Sequence, residues 1–513
     1  MNIAAMLAKA ALTFPDRPAI SWGKEQWADY KALHRSAGII GQALREDYGL
    51  EPGDRVAIAM PNRPEFLEAQ FGIWYAGLVA VLVNSKLHPS EFDYIFENSG
   101  ARICFTAPEL APALEKLAES SSTLETVISA GSEPYKALFT HAELALKNRA
   151  PEDPAWLFYT SGTTGRPKGA MLSHRNLLVM TLSYFADIDP ISHEDGVLHA
   201  APLSHASGFY GLPHIAKAAR NIIPKSGGFD PEEIFDLLTH YSGVTLFGAP
   251  TMLVRLMNNP GIASADLNNL KMIYYGGAPM LVADVEKALD IFGSKLVQIY
   301  GQGEAPMTIS YLPRHFYADR DHPRFAQRIA SAGIARTDVE ICIVDENDSP
   351  LPTGEAGEIL VRGDVVMLGY WNNPEATDAA LKDGWLHTGD VGSLDEEGFL
   401  TLMDRSKDMI ISGGTNIYPR EIEEVLLRHK DVHEVSVVGR PHADWGEEVV
   451  AFVVRNQGSI VSAKALDKLC LENIARFKRP KEYFFEDALP KNNYGKIMKR
   501  DLRDRLAAEA EKS

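Results

Sequence analysis

Apolar positions along the chain fall into two alternating rhythms. Short unbroken apolar runs at 55–60, 80–84, 102–106, 126–129 and 155–159 predict buried strands. Residues 65–76 between them predict a helix, and 1–12 predict a short amphipathic one. A longer helix is predicted over 26–44, where Trp27, Tyr30, Leu33, Ile39, Ile40 and Leu44 recur at helical spacing. The alternation resumes with strands at 197–201, 244–247, 271–275 and 296–300 and helices at 231–241, 250–257 and 281–292. Strand, helix, strand at this spacing is the mark of βαβ units and a parallel sheet. From about residue 339 the texture changes to short strands (339–344, 357–362, 399–402) split by Gly, Asp and Asn turns, which predict a small antiparallel barrel or meander. Past a polar segment at 404–408, helices at 419–428 and 463–473 and strands at 435–438 and 449–454 predict a separate α+β unit. The fold class expected is α/β. A large N-terminal domain (1–404) would carry βαβ-type sheets plus a small β-barrel, followed by a small α+β C-terminal domain (405–513).

The chemistry concentrates in one run, YTSGTTGRPKGAMLSH, residues 159–174. The strand at 155–159 precedes it, and Ser173 can cap a helix starting at His174. Between strand and helix lie Gly162, Gly165 and Gly169, the hydroxyls of Thr160, Ser161, Thr163 and Thr164, and Lys168. Glycines let backbone N–H groups converge on an anion, hydroxyls add hydrogen bonds, and lysine supplies a point charge. This is a phosphate cradle. It is not a Walker A loop, because proline precedes the lysine and glycine follows it.

The run resembles the phosphate-binding signature of the adenylate-forming superfamily: acyl-CoA synthetases, firefly-type luciferases and peptide-synthetase adenylation domains. That resemblance extends over nearly the whole chain and is strongest to the acyl-CoA synthetases. It implies activation of a carboxylate with ATP as an acyl-adenylate, then transfer of the acyl group to a thiol. Ligands of parallel sheets sit at the carboxyl ends of strands, and two more matching turns follow strands. Tyr275-Gly276-Gly277-Ala278-Pro279 is the turn that, by the resemblance, bounds adenine and the acyl pocket. Tyr300-Gly301-Gln302-Gly303-Glu304 is similar to the family's Tyr-Gly-x-Thr-Glu, in which tyrosine stacks on adenine and glutamate holds Mg2+. Magnesium wants a hard oxygen ligand beside the phosphates. Gly303 stands where the family has threonine, so the hydroxyl expected near the α-phosphate is missing.

Further matches lie downstream. In Trp385-Leu-His-Thr-Gly-Asp390, Asp390 is expected on the ribose hydroxyls, together with Arg405. In Leu489-Pro-Lys-Asn-Asn-Tyr-Gly-Lys496, Lys496 is expected to contact the carboxylate and α-phosphate, where negative charge builds in the transition state. No general base is needed, because the substrate carboxylate is already ionised at pH 7. The resemblance implies a mobile C-terminal lid that swings about Lys407, with Gly413 and Gly414 then lining a pantetheine tunnel. Lys86, Trp445, Phe477 and Arg479 lie where some family members bind the CoA nucleotide. The acyl pocket is expected from residues 202–210, with His205 gating carboxylate entry and Phe209 on its wall, and from Phe247, Gly276, Pro306 and Met307. Apart from His205 these segments carry no charged side chain, which favours a fatty or aromatic acid over a dicarboxylate or amino acid.

Length and composition narrow this further. With 513 residues, 45% hydrophobic and 23% charged, the chain is of soluble globular type, and no apolar run approaches a membrane span. A net charge of −18 argues against a nucleic-acid binder but not against ATP in a local basic site. Cys104, Cys342 and Cys470 lie far apart in apolar stretches and read as buried reduced thiols, which suits the cytoplasm. The expected partners are a carboxylic acid and CoA, and a homo-oligomer is compatible with the sequence. The alternative keeps the adenylation step but loads a carrier protein's phosphopantetheine. A phosphotransferase would release ADP and lacks its motif here. A luciferase-like oxygenase shares the motifs but requires oxygen and a luminogenic acid.

Overall fold

The structure is a computed structural model and describes residues 1–160, 166–278, 280–405, 408–412, 415–442, 445–492 and 497–510. It divides into two compact units, Met1–Ile341 with Val361–His387, and Cys342–Leu360 with Thr388–Ser513.

Two sheets organise the first unit. In the six-stranded one, Thr126–Ser129, Ile103–Thr106, Arg55–Ala59, Val79–Val83 and Pro154–Thr160 run parallel, and Lys168–Ser173 closes the edge antiparallel. In the nine-stranded one, Leu296–Tyr300, Leu270–Tyr275, Val244–Gly248, Gly196–Leu198, Arg220–Ile223 and Pro18–Trp22 form the parallel centre. Strands of this kind are covered on both faces, which is why Val79–Val83 is apolar and buried at every position. The βαβ reading of the sequence is therefore realised as parallel sheets.

Two expectations are corrected here. The helix expected over 26–44 begins only at Tyr30. Glu25–Asp29 is instead a strand folded back on Pro18–Trp22 around Gly23 at φ +58°. Asp29 then caps the helix Tyr30–Glu46 by accepting the Ala32 N–H at 2.7 Å. The periodicity misled because Trp27 and Tyr30 fit either element, and the turn chemistry of Gly23 decided between them. Likewise, the phosphate run does not pass from strand straight into helix. Lys168–Ser173 is a strand paired antiparallel with Pro154–Thr160, with Thr160 opposite Lys168 and Tyr159 opposite Gly169. The helix His174–Ser183 follows, capped by Ser173 and Asn176 reciprocally as a capping box.

In the second unit, part of Trp385–Leu394 pairs antiparallel with Leu400–Arg405. A further sheet joins Thr415–Ile417, Ile410–Ser412, Gly446–Arg455 and Val432–His442, with Glu482–Glu486 parallel on Gly446–Arg455. On one face the helices Pro419–Leu427 and Ala463–Asn473 place Ile422, Val425 and Leu466 against Val437, Ala451 and Val453. On the other, Leu502 and Leu506 of Lys499–Ala510 cover Val438, Val450 and Phe452. Cys104 and Cys470 are buried thiols, as expected, but Cys342 is only half-buried. Among the described residues no helix is long and apolar enough to cross a membrane.

Candidate active site

The expected phosphate side of the site falls where two sheets end. Thr160 closes the strand Pro154–Thr160, and the strand Leu296–Tyr300 leads into Glu304. The Thr160 hydroxyl donates to Glu304 Oε1 at 3.3 Å, tying the ends of the two sheets together. A residue that the sequence motifs did not single out completes the group. The Tyr370 hydroxyl donates to the same Oε1 at 2.6 Å, and Lys168 Nζ lies 5.0 Å from the centroid of the Tyr370 ring. The Glu304 carbonyl accepts the Met367 N–H at 2.8 Å, which holds the turn from behind. One aromatic ring thus orients a carboxylate with its hydroxyl and an ammonium with its face. Only a Gly369-Tyr370-Trp371 run signals this position in the sequence, and that run carries no nucleotide motif.

Gly303 is explained by the same packing. A Cβ there would lie 2.5 Å from Phe158 Cδ1 and 2.5 Å from Thr160 Cγ2, so the usual threonine has no room. Phe158 is itself set among the rings of His205, Phe209 and Trp156, with centroids at 5.0, 5.3 and 6.2 Å.

Around the expected adenine and acyl positions, close approach replaces side chains. At Gly276 a Cβ would meet the Ile299 carbonyl oxygen at 2.3 Å, and Gly277 takes φ +84°. Ala278, like Gly277, is exposed. A Cβ on Gly301 would lie 2.6 Å from Met307 N and Cα, and Met307 itself takes φ +60°, a left-handed conformation in which a non-glycine residue stores strain. Gln302 and Ala305 exchange backbone hydrogen bonds at 3.2 and 3.3 Å, and Ala305 and Pro306 are buried. Tyr300 keeps only 8% of its surface exposed.

His205 precedes the helix Ala206–Ala216 and meets the edge of Phe158, while Phe209 stacks on Trp156 with centroids 4.2 Å apart. Burial pushes the His205 imidazole down to about 4, so at neutral pH it is uncharged. Phe247 is buried and tilted against Tyr274. Lys86 is exposed, its N–H donating to Asn84 Oδ1 at 2.9 Å.

In the second unit, strand register brings Asp390 directly opposite Arg405. The Asp390 N–H donates to Thr388 Oγ1 at 3.1 Å, and Gly389, at φ +67°, donates to Glu358 Oε1 at 3.0 Å, so this stretch of the strand is held by side chains as well as by its ladder. Ser412 pairs with both Thr415 and Gly446, which brings Trp445 to the strand preceding Gly413. Trp445 and Phe477 are 58% and 48% exposed, an unusual state for large apolar rings. Arg479 is engaged by Asp467 at 2.6 Å. Ser161, Gly162, Thr163, Thr164, Gly165, Pro279, Lys407, Gly413, Gly414 and Lys496 lie outside the described residues, as does the Arg405 side chain.

A lysine, a carboxylate and two hydroxyls meet where the parallel strands Pro154–Thr160 and Leu296–Tyr300 end, which is where α/β folds hold their ligands. Residues 7–371 match the family described as AMP-binding enzyme, and residues 421–496 match the AMP-binding enzyme C-terminal domain. The chain is 37% identical to a feruloyl-CoA synthase of Amycolatopsis sp, covering 93% of this chain and 94% of that one. It is 34% identical to a long-chain-fatty-acid–CoA ligase of Salmonella typhimurium, covering 96% and 93%. ATP-bound MatB of Rhodopseudomonas palustris superposes with a TM-score of 0.88 at 31% identity, over 98% of this chain and 99% of that one. The chain belongs to the AMP-binding enzymes, the adenylate-forming acyl-CoA synthetase family, and is an acid–thiol ligase.

Proposed function

We propose that the chain activates an apolar carboxylic acid, fatty or aromatic, and transfers it to CoA. In the first half-reaction a carboxylate oxygen attacks the α-phosphorus of ATP, the bond to pyrophosphate breaks, and an acyl-adenylate forms. In the second, the CoA thiol loses its proton and attacks the acyl carbonyl, and AMP leaves. The single observation that carries this reading is the group Thr160–Glu304–Tyr370–Lys168, which sets one cation and one oriented carboxylate beside the phosphate run.

In this reading Thr160, Ser161, Gly162, Thr163, Thr164, Gly165 and Lys168 hold the phosphates. Gly277, Ala278, Pro279, Tyr300, Gly301 and Gln302 surround adenine, and Asp390 and Arg405 take the ribose. Hard oxygen donors suit Mg2+, and Glu304 beside the Thr160 hydroxyl fits it. When bound there, the ion neutralises charge on the phosphates. Lys496 stabilises the charge that builds on the α-phosphoryl oxygens. The lid turns about Lys407 within 404–408, between domains 1–404 and 405–513, and then presents Gly413 and Gly414 to pantetheine. The exposed rings of Trp445 and Phe477, with Lys86 and Arg479, take the CoA nucleotide. His205, uncharged, gates the acid's entry by position rather than by proton transfer. Three free thiols, Cys104, Cys342 and Cys470, suit the cytoplasm.

The test is product analysis with ATP, Mg2+, CoA and a panel of acids. The reading expects AMP, pyrophosphate and a CoA thioester. ADP as product would sink it. Thioester formation only on a phosphopantetheinylated carrier protein would replace CoA by that acceptor.

A further inference from the structure

Three of the four side chains in the group Thr160–Glu304–Tyr370–Lys168 stand on adjoining segments at one edge of the six-stranded sheet. Thr160 and Lys168 face each other across the last strand pair. Residues 368–371 then run along Lys168–Ser173 as an added rung. The Leu368 N–H donates to the Met171 carbonyl and the Met171 N–H to the Gly369 carbonyl, both at 2.9 Å. The Trp371 N–H donates to the Gly169 carbonyl at 2.8 Å, with Ala170 opposite Tyr370. Outer segments of a sheet open most readily, so the geometry around Glu304 depends on what ties this edge down.

The last turn of the helix Pro89–Ser99 supplies the tie. Asn98 Oδ1 accepts the Tyr159 hydroxyl at 2.7 Å, and the Asn98 carbonyl accepts Trp371 Nε1 and Asn372 Nδ2, each at 3.1 Å. The last carbonyls of a helix lack intrahelical partners, so this one accepts from outside at no loss to the helix. Arg55 fastens the same end: its Nε donates to the Ser99 carbonyl at 2.7 Å, and its guanidinium lies 5.3 Å from the Trp371 ring centroid. Asn372 takes φ +51°, a left-handed conformation that asparagine tolerates better than most residues. Across the strand pair the Tyr159 ring lies against Gly169, where a Cβ would meet Tyr159 Cζ at 3.0 Å. Tyr159 precedes Thr160, and Trp371 follows Tyr370. Asn98 therefore holds the chain neighbours of both side chains whose hydroxyls bond Glu304.

We propose that Asn98 is a positioning residue for the adenylation step. Its side chain and carbonyl set the spacing between Thr160 and Tyr370, and so the direction in which Glu304 presents its carboxylate to Mg2+. This rests on the reading of Thr160, Glu304, Tyr370 and Lys168 as the phosphate side of the site. Thioester formation from acyl-adenylate breaks no bond to pyrophosphate, so it does not draw on this geometry.

Two variants of the full chain test it. Asn98→Leu is close in size but its side chain accepts nothing, whereas Asn98→Asp keeps an oxygen for the Tyr159 hydroxyl. Calorimetric titration of Asn98→Leu with ATP and Mg2+, no acid present, should give a Kd about fivefold higher, the size expected for one lost hydrogen bond. Pyrophosphate release, with whichever of hexadecanoate and cinnamate turns over faster, should need about fivefold more Mg2+ for its half-maximal rate. Thioester formation from supplied acyl-adenylate should keep its native rate. Asn98→Asp should restore both the Kd and the Mg2+ requirement. Tyr159→Phe removes the same bond from its other end, so combining it with Asn98→Leu should add little. A native Kd and native Mg2+ requirement in Asn98→Leu would overturn the proposal, as would an Asn98→Asp enzyme equally impaired. Loss of both half-reactions together with a lowered Tm would make Asn98 structural and overturn it too. Pyrophosphate release by the native chain with neither acid would instead overturn the ligase reading on which the proposal rests.

Discussion

Restoring the family's threonine at Gly303 should damage this enzyme. The Cβ alone would sit 2.5 Å from Phe158 Cδ1 and from Thr160 Cγ2, about 1 Å inside ordinary carbon–carbon contact. Neither neighbour is the loose end of a flexible chain. Phe158 is boxed in by His205, Phe209 and Trp156, and Thr160 is β-branched and bonded to Glu304 at 3.3 Å. Overpacking of a confined site costs about 1–3 kcal/mol. With about 2.1 cal/mol/K of unfolding entropy per residue, a unit of this size loses about 1.3 °C of Tm per kcal/mol, so a fall of about 1–4 °C is expected. Displacing Thr160 should also loosen Glu304 and raise the Mg2+ concentration needed for half-maximal pyrophosphate release. Differential scanning calorimetry and a Mg2+ titration read the two effects. Phe158→Leu combined with Gly303→Thr should recover much of both, a coupling that a double-mutant cycle measures. A Gly303→Thr enzyme with native Tm and native Mg2+ dependence would refute the account of why glycine stands there.

Tyr370→Phe removes the hydroxyl on Glu304 but keeps the ring under Lys168, whereas Tyr370→Leu removes both. Adenylation should therefore fall about tenfold in the first, for a lost bond to a charged group of about 1.5 kcal/mol, and further in the second; equal losses would deny the ring a role. Arg336→Leu leaves Asp187 buried without its guanidinium and should cost about 3–5 kcal/mol in urea unfolding, largely regained with Asp187→Asn. Burial holds His174 and His214 at about 3 and His199 and His205 at about 4, against about 6.5 when unfolded. The unfolded chain thus binds more protons as pH falls below about 6.5. Stability present at pH 7 should drop toward pH 5, by up to about 1.4 kcal/mol per pH unit for each histidine, opposed in part by the raised Glu68 and Asp189 carboxyls. A urea midpoint equal at pH 7 and 5 would contradict this. Lys496→Ala should slow acyl-adenylate formation about a hundredfold while sparing thioester formation from supplied acyl-adenylate; equal losses in both steps would make Lys496 structural.

Much of this protein is legible in the chain because its signals are local. Buried parallel strands need apolar runs, so 126–129 coincides with an observed parallel strand, and most of the others agree to within a residue or two. Ser173 caps its helix because capping depends on residues three apart. The motifs that carry the family resemblance are likewise contiguous runs, and the family match over 7–371 spans the first three of them. What escaped depends on residues distant in sequence. Tyr370 reaches Glu304 across 66 positions, and the Arg336–Asp187 pair spans 149. No pattern of period 2 or 3.6 links such positions. The absence of threonine at 303 could be seen in the sequence, but its cause is the space already taken by Phe158 and Thr160. Periodicity and turn chemistry determined which strands and motifs exist. Tertiary packing alone decided which side chains meet at the site, because contact there follows from the stacking of separate elements and not from spacing along the chain.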